Sequence, residues 1–552
     1  MGQNNKGSFE LYPWVGGYNP SDDPIVLNPQ QLQIAENIYF DTDGGRKKRG
    51  GIDYLNTAAI SVGGSPADLI WGTDYWANVS NTKRAYHVVI TSGGKAFRSP
   101  YNGIYSAFNS TSTSVLPVSP GLISSEVFNE DLIIGYAKNA VPKVWDNQNT
   151  AVNLVSATAA TGTYPSGWIL RSHRNRLWIA GNSTNPDRIS YSGFTAGAPD
   201  HRAWNFGSSA GFIDVQPGDG DPVGITAIFP EVNQGGLYVA KKTKIYFINT
   251  SDPSDANWTI SLVSNGIGCV SHNAAIAVDQ TDVLFPSNRG IHSLGQVISQ
   301  AGIIEAAFLS KEIQTDYQDI LSTADRSKMS AVWYPSLNSY YFNASSTADT
   351  FDYIYAYNVP LKQWYVWKAA SGSVNNFNFM HSRYNGNTNL IEFISLSDGG
   401  WVLLMDQQRG YDISGASLMQ VPINYRIKSA FLFPGKQRTV ESHFTDLAFY
   451  VSSTNDSSFT VYWSIDNNPP QSTSIEQVII GGNILGTTLL GADYILGESR
   501  GIKPYLISIS GVGNGIEFEI QHHAPEDFQL YGIACKFIQS NESYDSGRNF
   551  GR

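Results

Sequence analysis

The chain has 552 residues, a formal net charge of −11, 41% apolar residues and only 15% charged ones. That length exceeds what one core usually organises, and the acidic balance excludes a general nucleic-acid binder, whose affinity would come from basic groups meeting phosphates. Two cysteines, Cys269 and Cys535, exclude a disulfide scaffold, and no apolar run of about 18 residues offers a bilayer span.

Glycine (52), tyrosine (30), phenylalanine (26) and tryptophan (13) are plentiful, which indicates an all-β chain with many turns. Residues 1–60 read as an extended arm, because Trp14-Val15-Gly16-Gly17 and Ser21-Asp22-Asp23-Pro24 crowd glycine and proline too closely for regular structure. A segment ending in Ala35-Glu36-Asn37-Ile38-Tyr39-Phe40 leads to a turn over residues 41–45 and then to Arg46-Lys47-Lys48-Arg49. Four cations in a row offer a phosphate site, but a solvated hairpin with a charged edge is the commoner outcome and is the expectation.

Residues 61–419 carry a repeat. Its cleanest copy is Gly235–Asn249, two short apolar strands joined by a lysine-rich turn. The second strand of the unit recurs from Lys95, Lys143, Arg188, Lys244, Gly290, Tyr353 and Trp401, and the strand before it from Tyr86, Asp131, Arg176, Gly236, Asp282, Ser339 and Asn389. A spacing of about 45–60 residues is that of a four-stranded propeller blade, so the repeats predict a β-propeller of about seven blades. A helix is predicted near 310–322, with Ser310 as N-cap and Ile313, Tyr317, Ile320 and Leu321 on one face. From 420 to 540 longer alternating strands, such as Ile516-Glu517-Phe518-Glu519-Ile520, predict a β-sandwich, and 541–552 reads as a loose tail.

The residues that could carry chemistry are sparse. No acid–base triad, P-loop or zinc signature is visible, so no enzyme activity, cofactor or metal site is expected. His522 and His523 lie beside Glu526 and Asp527, but adjacent histidines in a strand face opposite ways. Asp214, Asp219 and Asp221 around Gly218 and Gly220 resemble half of a calcium loop and lack its closing glutamate. A tight acidic loop is the expectation there.

The arm, with Ala35, Glu36, Asn37, Phe40, Gly44 and Arg49 in recurring positions, resembles the virion tail proteins of bacteriophages, especially the nozzle, tail-hub or DNA-stabilisation proteins of short-tailed phages. Arg49-Gly50-Gly51 stands where those proteins have Arg-Pro-Gly. The ordered patches His173–Gly181, Asn185–Ser192, Gly218–Pro222, Gly268–Ser271 and Asn288–Ile291 are similar to the same group. The resemblance implies a structural virion protein of the phage tail, assembled in the bacterial host cytoplasm. It implies a ring of six below the portal and adaptor, with transient contact to phage DNA in the lumen and no membrane insertion. The arm residues Trp14, Ala35, Glu36, Asn37, Phe40, Arg46, Lys47, Lys48 and Arg49 would then dock on the adaptor or an adjacent subunit by strand addition. Asp214, Asp219 and Asp221 would form an acidic loop on the channel wall that repels phosphate.

The rival reading is a carbohydrate-binding or carbohydrate-cleaving propeller that recognises the host surface. A sialidase-like site needs arginines spread around the axis, whereas Arg171, Arg176 and Arg188 crowd into one repeat.

Overall fold

A computed structural model of the chain describes residues 5–539 apart from 42–43, 80–81, 109–114, 117–121, 146–153, 233–234, 300–307, 324–328, 345–352, 372–375, 386–389, 416, 435–437, 439, 454–456 and 478–501. The tail expected over 541–552 lies outside the described residues.

Among the described residues the repeats fold into seven antiparallel blades. Blade 1 runs from Leu69–Val79 through Thr82–Thr91 and Ala96–Ser99 to Ser106–Ala107, and blade 2 from Ser124–Phe128 to Val155–Ser156. Blade 3 runs from Ile169–His173 to Gly211–Asp214 and blade 4 from Ile225–Ile228 to Thr259–Asn265. Blade 5, from Ile276–Val278 to Ile291–Ser293, has three strands among the described residues. Blade 6 runs from Ala331–Tyr334 to Gln363–Lys368, and blade 7 from Met380–Asn385 to Val402–Gln407. Both strands read from each repeat are there, as the second and third of their blade.

Each blade's first strand packs beside the first strand of the next, with the short turn His272–Ala274 joining in between blades 4 and 5. Met380–Asn385 of blade 7 meets Leu69–Val79 of blade 1, so the ring closes. Apolar clusters fill the seams between blades, for example Trp168, Trp178, Val239 and Ile248 between blades 3 and 4.

The fourth strand of blade 7 comes from the other end of the propeller sequence: Gly51–Tyr54 pairs antiparallel with Val402–Gln407. The rest of the arm, read as lacking regular structure, also forms strands, and its own chain takes them up. Asn5–Leu11 and Arg46–Lys48 both pair with the last strand, Phe528–Gln539. Leu32–Glu36 meets the outer strand of blade 6 in parallel at Glu36 and Val366, and pairs antiparallel with Tyr425–Ser429. Blade 6 and half of the C-terminal sandwich thereby become one nine-stranded sheet.

That sheet packs its inner face against a six-stranded sheet built on Ser442–Ser453 and Phe528–Gln539. Ile516, Phe518, Ile520 and His522 of Ile516–His522 alternate inward, and Phe518 meets Phe449 with ring centroids 6.0 Å apart. The resulting core is continuous from the seam of blades 6 and 7, with Tyr341, Trp367 and Phe393, to Phe528 and Ile533 of the sandwich.

The predicted helix is present as Gln314–Thr323, with Ile313, Tyr317, Ile320 and Leu321 buried against blades 5 and 6. Ser310 does not cap it. Its hydroxyl accepts from the Ile291 N–H at 2.9 Å and so ties the approach segment to blade 5.

Because the arm completes three separate sheet edges, deleting residues 1–55 is expected to unfold the sandwich and open blade 7 instead of releasing a dispensable tail. Circular dichroism and limited proteolysis of the truncated chain check this: a cooperative, protease-resistant truncated protein would contradict it.

Candidate functional site

Two places concentrate polar chemistry: the root of the arm, and the seam where blade 7 meets blade 1.

At the root of the arm, strand alternation decides which cations go inside. In Arg46–Lys48 the outer two residues face inward and Lys47 faces out. Arg46 is fully buried; it donates to the carbonyls of Trp14 and Gly16, and its guanidinium lies 4.2 Å from the Trp14 ring centre. Burial pushes its pKa down to about 9. Lys48 donates to the Ala524 carbonyl at 2.5 Å, beside His522, and burial, with Arg49 adding, pushes it down to about 7.

Arg49 makes a buried two-pronged pair with Asp412, Nη1 to Oδ1 at 2.9 Å and Nη2 to Oδ2 at 2.7 Å, with side chains 1% and 0% exposed. Its Nε donates to Asn37 Oδ1 at 2.9 Å, and its remaining N–H bonds reach the Lys368 and Gly50 carbonyls. Asp412 also accepts from the N–H groups of Ile52 and Ala370. Asn37 sits at φ 58°, a left-handed position that asparagine tolerates, and its amide donates to the Asn424 carbonyl at 2.8 Å. Glu36 pairs with Lys368 at 2.5 Å, Phe40 stands edge-on to Tyr365, and Ala35 is fully buried. Gly50 and Gly51 pass so close to blade 7 and to the hairpin strand Tyr411–Ser414 after it that a Cβ would lie 2.5 Å from the Gln407 oxygen and 2.0 Å from the Tyr411 oxygen, respectively.

This geometry corrects one expectation. The basic run is not a solvated edge: three of its four residues are buried, and only Lys47, 4.0 Å from Asp527, is a surface group. Trp14, Ala35, Glu36, Asn37, Phe40, Arg46, Lys48 and Arg49 all make contacts within their own chain.

The acidic loop is compensated. Asp214 lies on the outermost strand of blade 3, away from the propeller axis, and is held by Arg188 through bonds of 2.7 and 2.9 Å. Asp219 lies 3.1 Å from the buried Lys241 ammonium and 3.7 Å from that of Lys244. Burial opposes its ionisation, yet hydrogen bonds from Tyr246 and Lys241 hold its pKa down to about 2. Asp221 accepts from the N–H and hydroxyl of Thr243, each at 2.8 Å. His522 is buried and stacked on Phe528 while His523 is not buried, so the two do not converge.

The seam between blades 7 and 1 gathers residues that the sequence did not single out. Asp74 on the first strand of blade 1, His87 on its second and His381 on the first strand of blade 7 bring one ligand atom each within 4.8 Å of one another. The two Nε2 atoms are 2.9 Å apart. His87 Nδ1 faces the Tyr105 hydroxyl, and Arg383 pairs with Glu392 at 2.8 Å beside them. Asp74 accepts from the Tyr101 hydroxyl and the Tyr384 N–H, while its Oδ1 has no hydrogen-bond partner; nor has His381 Nδ1. Burial pushes Asp74 up to about 7 and His381 down to about 3.

No protein-family model matches the chain, and no curated protein does. Among solved structures it is similar to an exo-beta-1,3-galactanase from Phanerochaete chrysosporium, at 10% identity and a TM-score of 0.25, over 89% of this chain and 100% of that one. YCF48 from Cyanidioschyzon merolae aligns at 9% identity and a TM-score of 0.35, over 64% and 98%. Hsv2 from Kluyveromyces lactis aligns at 10% identity and a TM-score of 0.27, over 51% and 81%. The blade count rests on the chain's own sheets.

Asp412→Ala leaves a buried guanidinium without its counter-charge and is expected to cost about 3–5 kcal/mol in urea unfolding. The double change Arg49→Met with Asp412→Leu is expected to cost less than either single change, since no buried charge then stands alone. Between about pH 7 and the ordinary 10.5, the unfolded chain holds a proton on Lys48 that the folded chain lacks, so this residue makes stability rise with pH across that window. Lys48→Met is expected to remove that part of the slope in denaturant titrations run from pH 7 to 10.

Proposed function

We propose that the chain is a structural subunit of a short-tailed phage virion, a rigid part of the tail conduit below the portal and adaptor. In this reading it assembles as a ring of six in the host cytoplasm, helps retain packaged DNA, lets it pass during ejection, and performs no chemistry of its own. One observation supports it most. Of the six arm positions that carry the family likeness, Ala35, Asn37, Phe40 and Arg49 lie in the joint between propeller and sandwich. A motif spent on locking two domains together suits a wall element that must hold its shape under load. The charge balance agrees: the chain carries a net −11, and burial takes Arg46, Lys48 and Arg49 from the surface that DNA would meet.

A second reading, glycan recognition at the host surface, is favoured by Trp76 and Tyr384, which stand 56% and 58% exposed on the neighbouring first strands of blades 1 and 7. Exposed rings of this kind can stack on sugars. A glycan array with a hydrolysis assay would support it by a specific hit that Trp76→Ala abolishes.

Native mass spectrometry of the full-length chain, alone and with portal and adaptor, checks the main reading. The expected result is a discrete six-subunit ring, alone or nucleated by the partner; a monomer indifferent to both would overturn it.

A further inference from the structure

We propose that Asp74, His87 and His381 form a binding site for one divalent transition-metal ion that clamps the closing seam of the propeller. Two imidazoles and a carboxylate are a donor set that suits zinc and its first-row neighbours. Metal–ligand bonds of about 2.0–2.2 Å place the donor atoms of one ion roughly 3 Å apart, and the two histidine Nε2 atoms lie 2.9 Å apart.

Three further observations point the same way. First, Asp74 Oδ1 is a buried polar atom without a hydrogen-bond partner, a costly arrangement that a ligand would relieve. Second, the other oxygen of Asp74 is steered by Tyr101 and Tyr384, and the far nitrogen of His87 by Tyr105, as outer partners orient metal ligands. Third, room has been left for the ring of His381: Gly72 on the facing strand has no side chain, and a Cβ there would come within 3.0 Å of His381 Cε1.

The surrounding charges allow a cation. Arg383, on the same strand as His381, is offset by Glu392 at 2.8 Å and lies 4.5 Å from the Tyr101 ring centre. The ion takes one ring nitrogen from each neutral histidine and one oxygen of ionised Asp74, with water completing its shell.

Position gives the site its purpose. Asp74 and His87 belong to the first blade and His381 to the last, so the ion joins strands that the chain brings together only when the ring closes. Metal binding is then part of the stability of closure.

The test uses the full-length chain, treated with a chelator, dialysed, and titrated with Zn2+ and separately with Co2+. The expected results are one equivalent bound per chain, visible Co2+ bands, and a rise in unfolding temperature that the chelator reverses. X-ray absorption at the zinc edge should show two imidazoles and oxygen. His381→Gln is expected to abolish binding. Tyr105→Phe, which keeps the ring and spares the ligands, is expected to weaken it by about 10- to 100-fold and so keeps the proposal testable if the histidine variant does not fold. No stoichiometric metal, a zinc spectrum without two imidazoles, or unchanged affinity in Tyr105→Phe would overturn it.

Discussion

Everything in this molecule hangs on a buried guanidinium. Taking Arg49 and Asp412 out of water costs several kcal/mol per ion, and the arrangement survives because the hydrogen-bonding capacity of both is used. Arg49 reaches Asp412, Asn37, Gly50 and Lys368; Asp412 reaches Ile52 and Ala370 as well. These partners belong to the arm, the end of blade 6 and the hairpin strand that follows blade 7. One ion pair therefore fixes where the arm turns, and two residues later Gly51 begins the strand that completes the ring.

The same joint explains why the propeller and the sandwich do not behave as beads on a string. Leu32–Glu36 is at once a neighbour of blade 6 and a strand of the sandwich, and the apolar core runs through the joint without interruption. Inter-domain surfaces that are small and polar permit hinge motion; a shared sheet with a shared core does not.

The repeats were legible because the second and third strands of each blade follow one another closely in sequence, and alternation shows which side is buried. The sandwich was legible for the same reason in its Ile516–His522 strand. What the sequence hid is long-range. The arm's partners lie hundreds of residues away, as when Lys48 meets Ala524, so its burial could not be read from its own composition. The rule that charge runs are wet failed because Arg46 and Lys48 are spaced two apart on a strand, the period that sends both inward. Asp74, His87 and His381 belong to no motif: Asp74 and His87 face each other across the first hairpin of blade 1, but His381 reaches them only through ring closure, and a lone histidine in an apolar strand, Tyr86-His87-Val88-Val89, was the one local signal.

The pairing of Gly51–Tyr54 with Val402–Gln407 also sets an order of events during synthesis. The first strand of the ring leaves the ribosome long before its partner exists, and Asn5–Leu11 waits longer still for Phe528–Gln539. Contacts of such sequence separation form slowly, and unpaired strand edges are sticky while they wait. The nascent chain thus carries adhesive ends through most of translation: Val402–Gln407 retires the first of them, and Asn5–Leu11 stays open until Phe528–Gln539 is made.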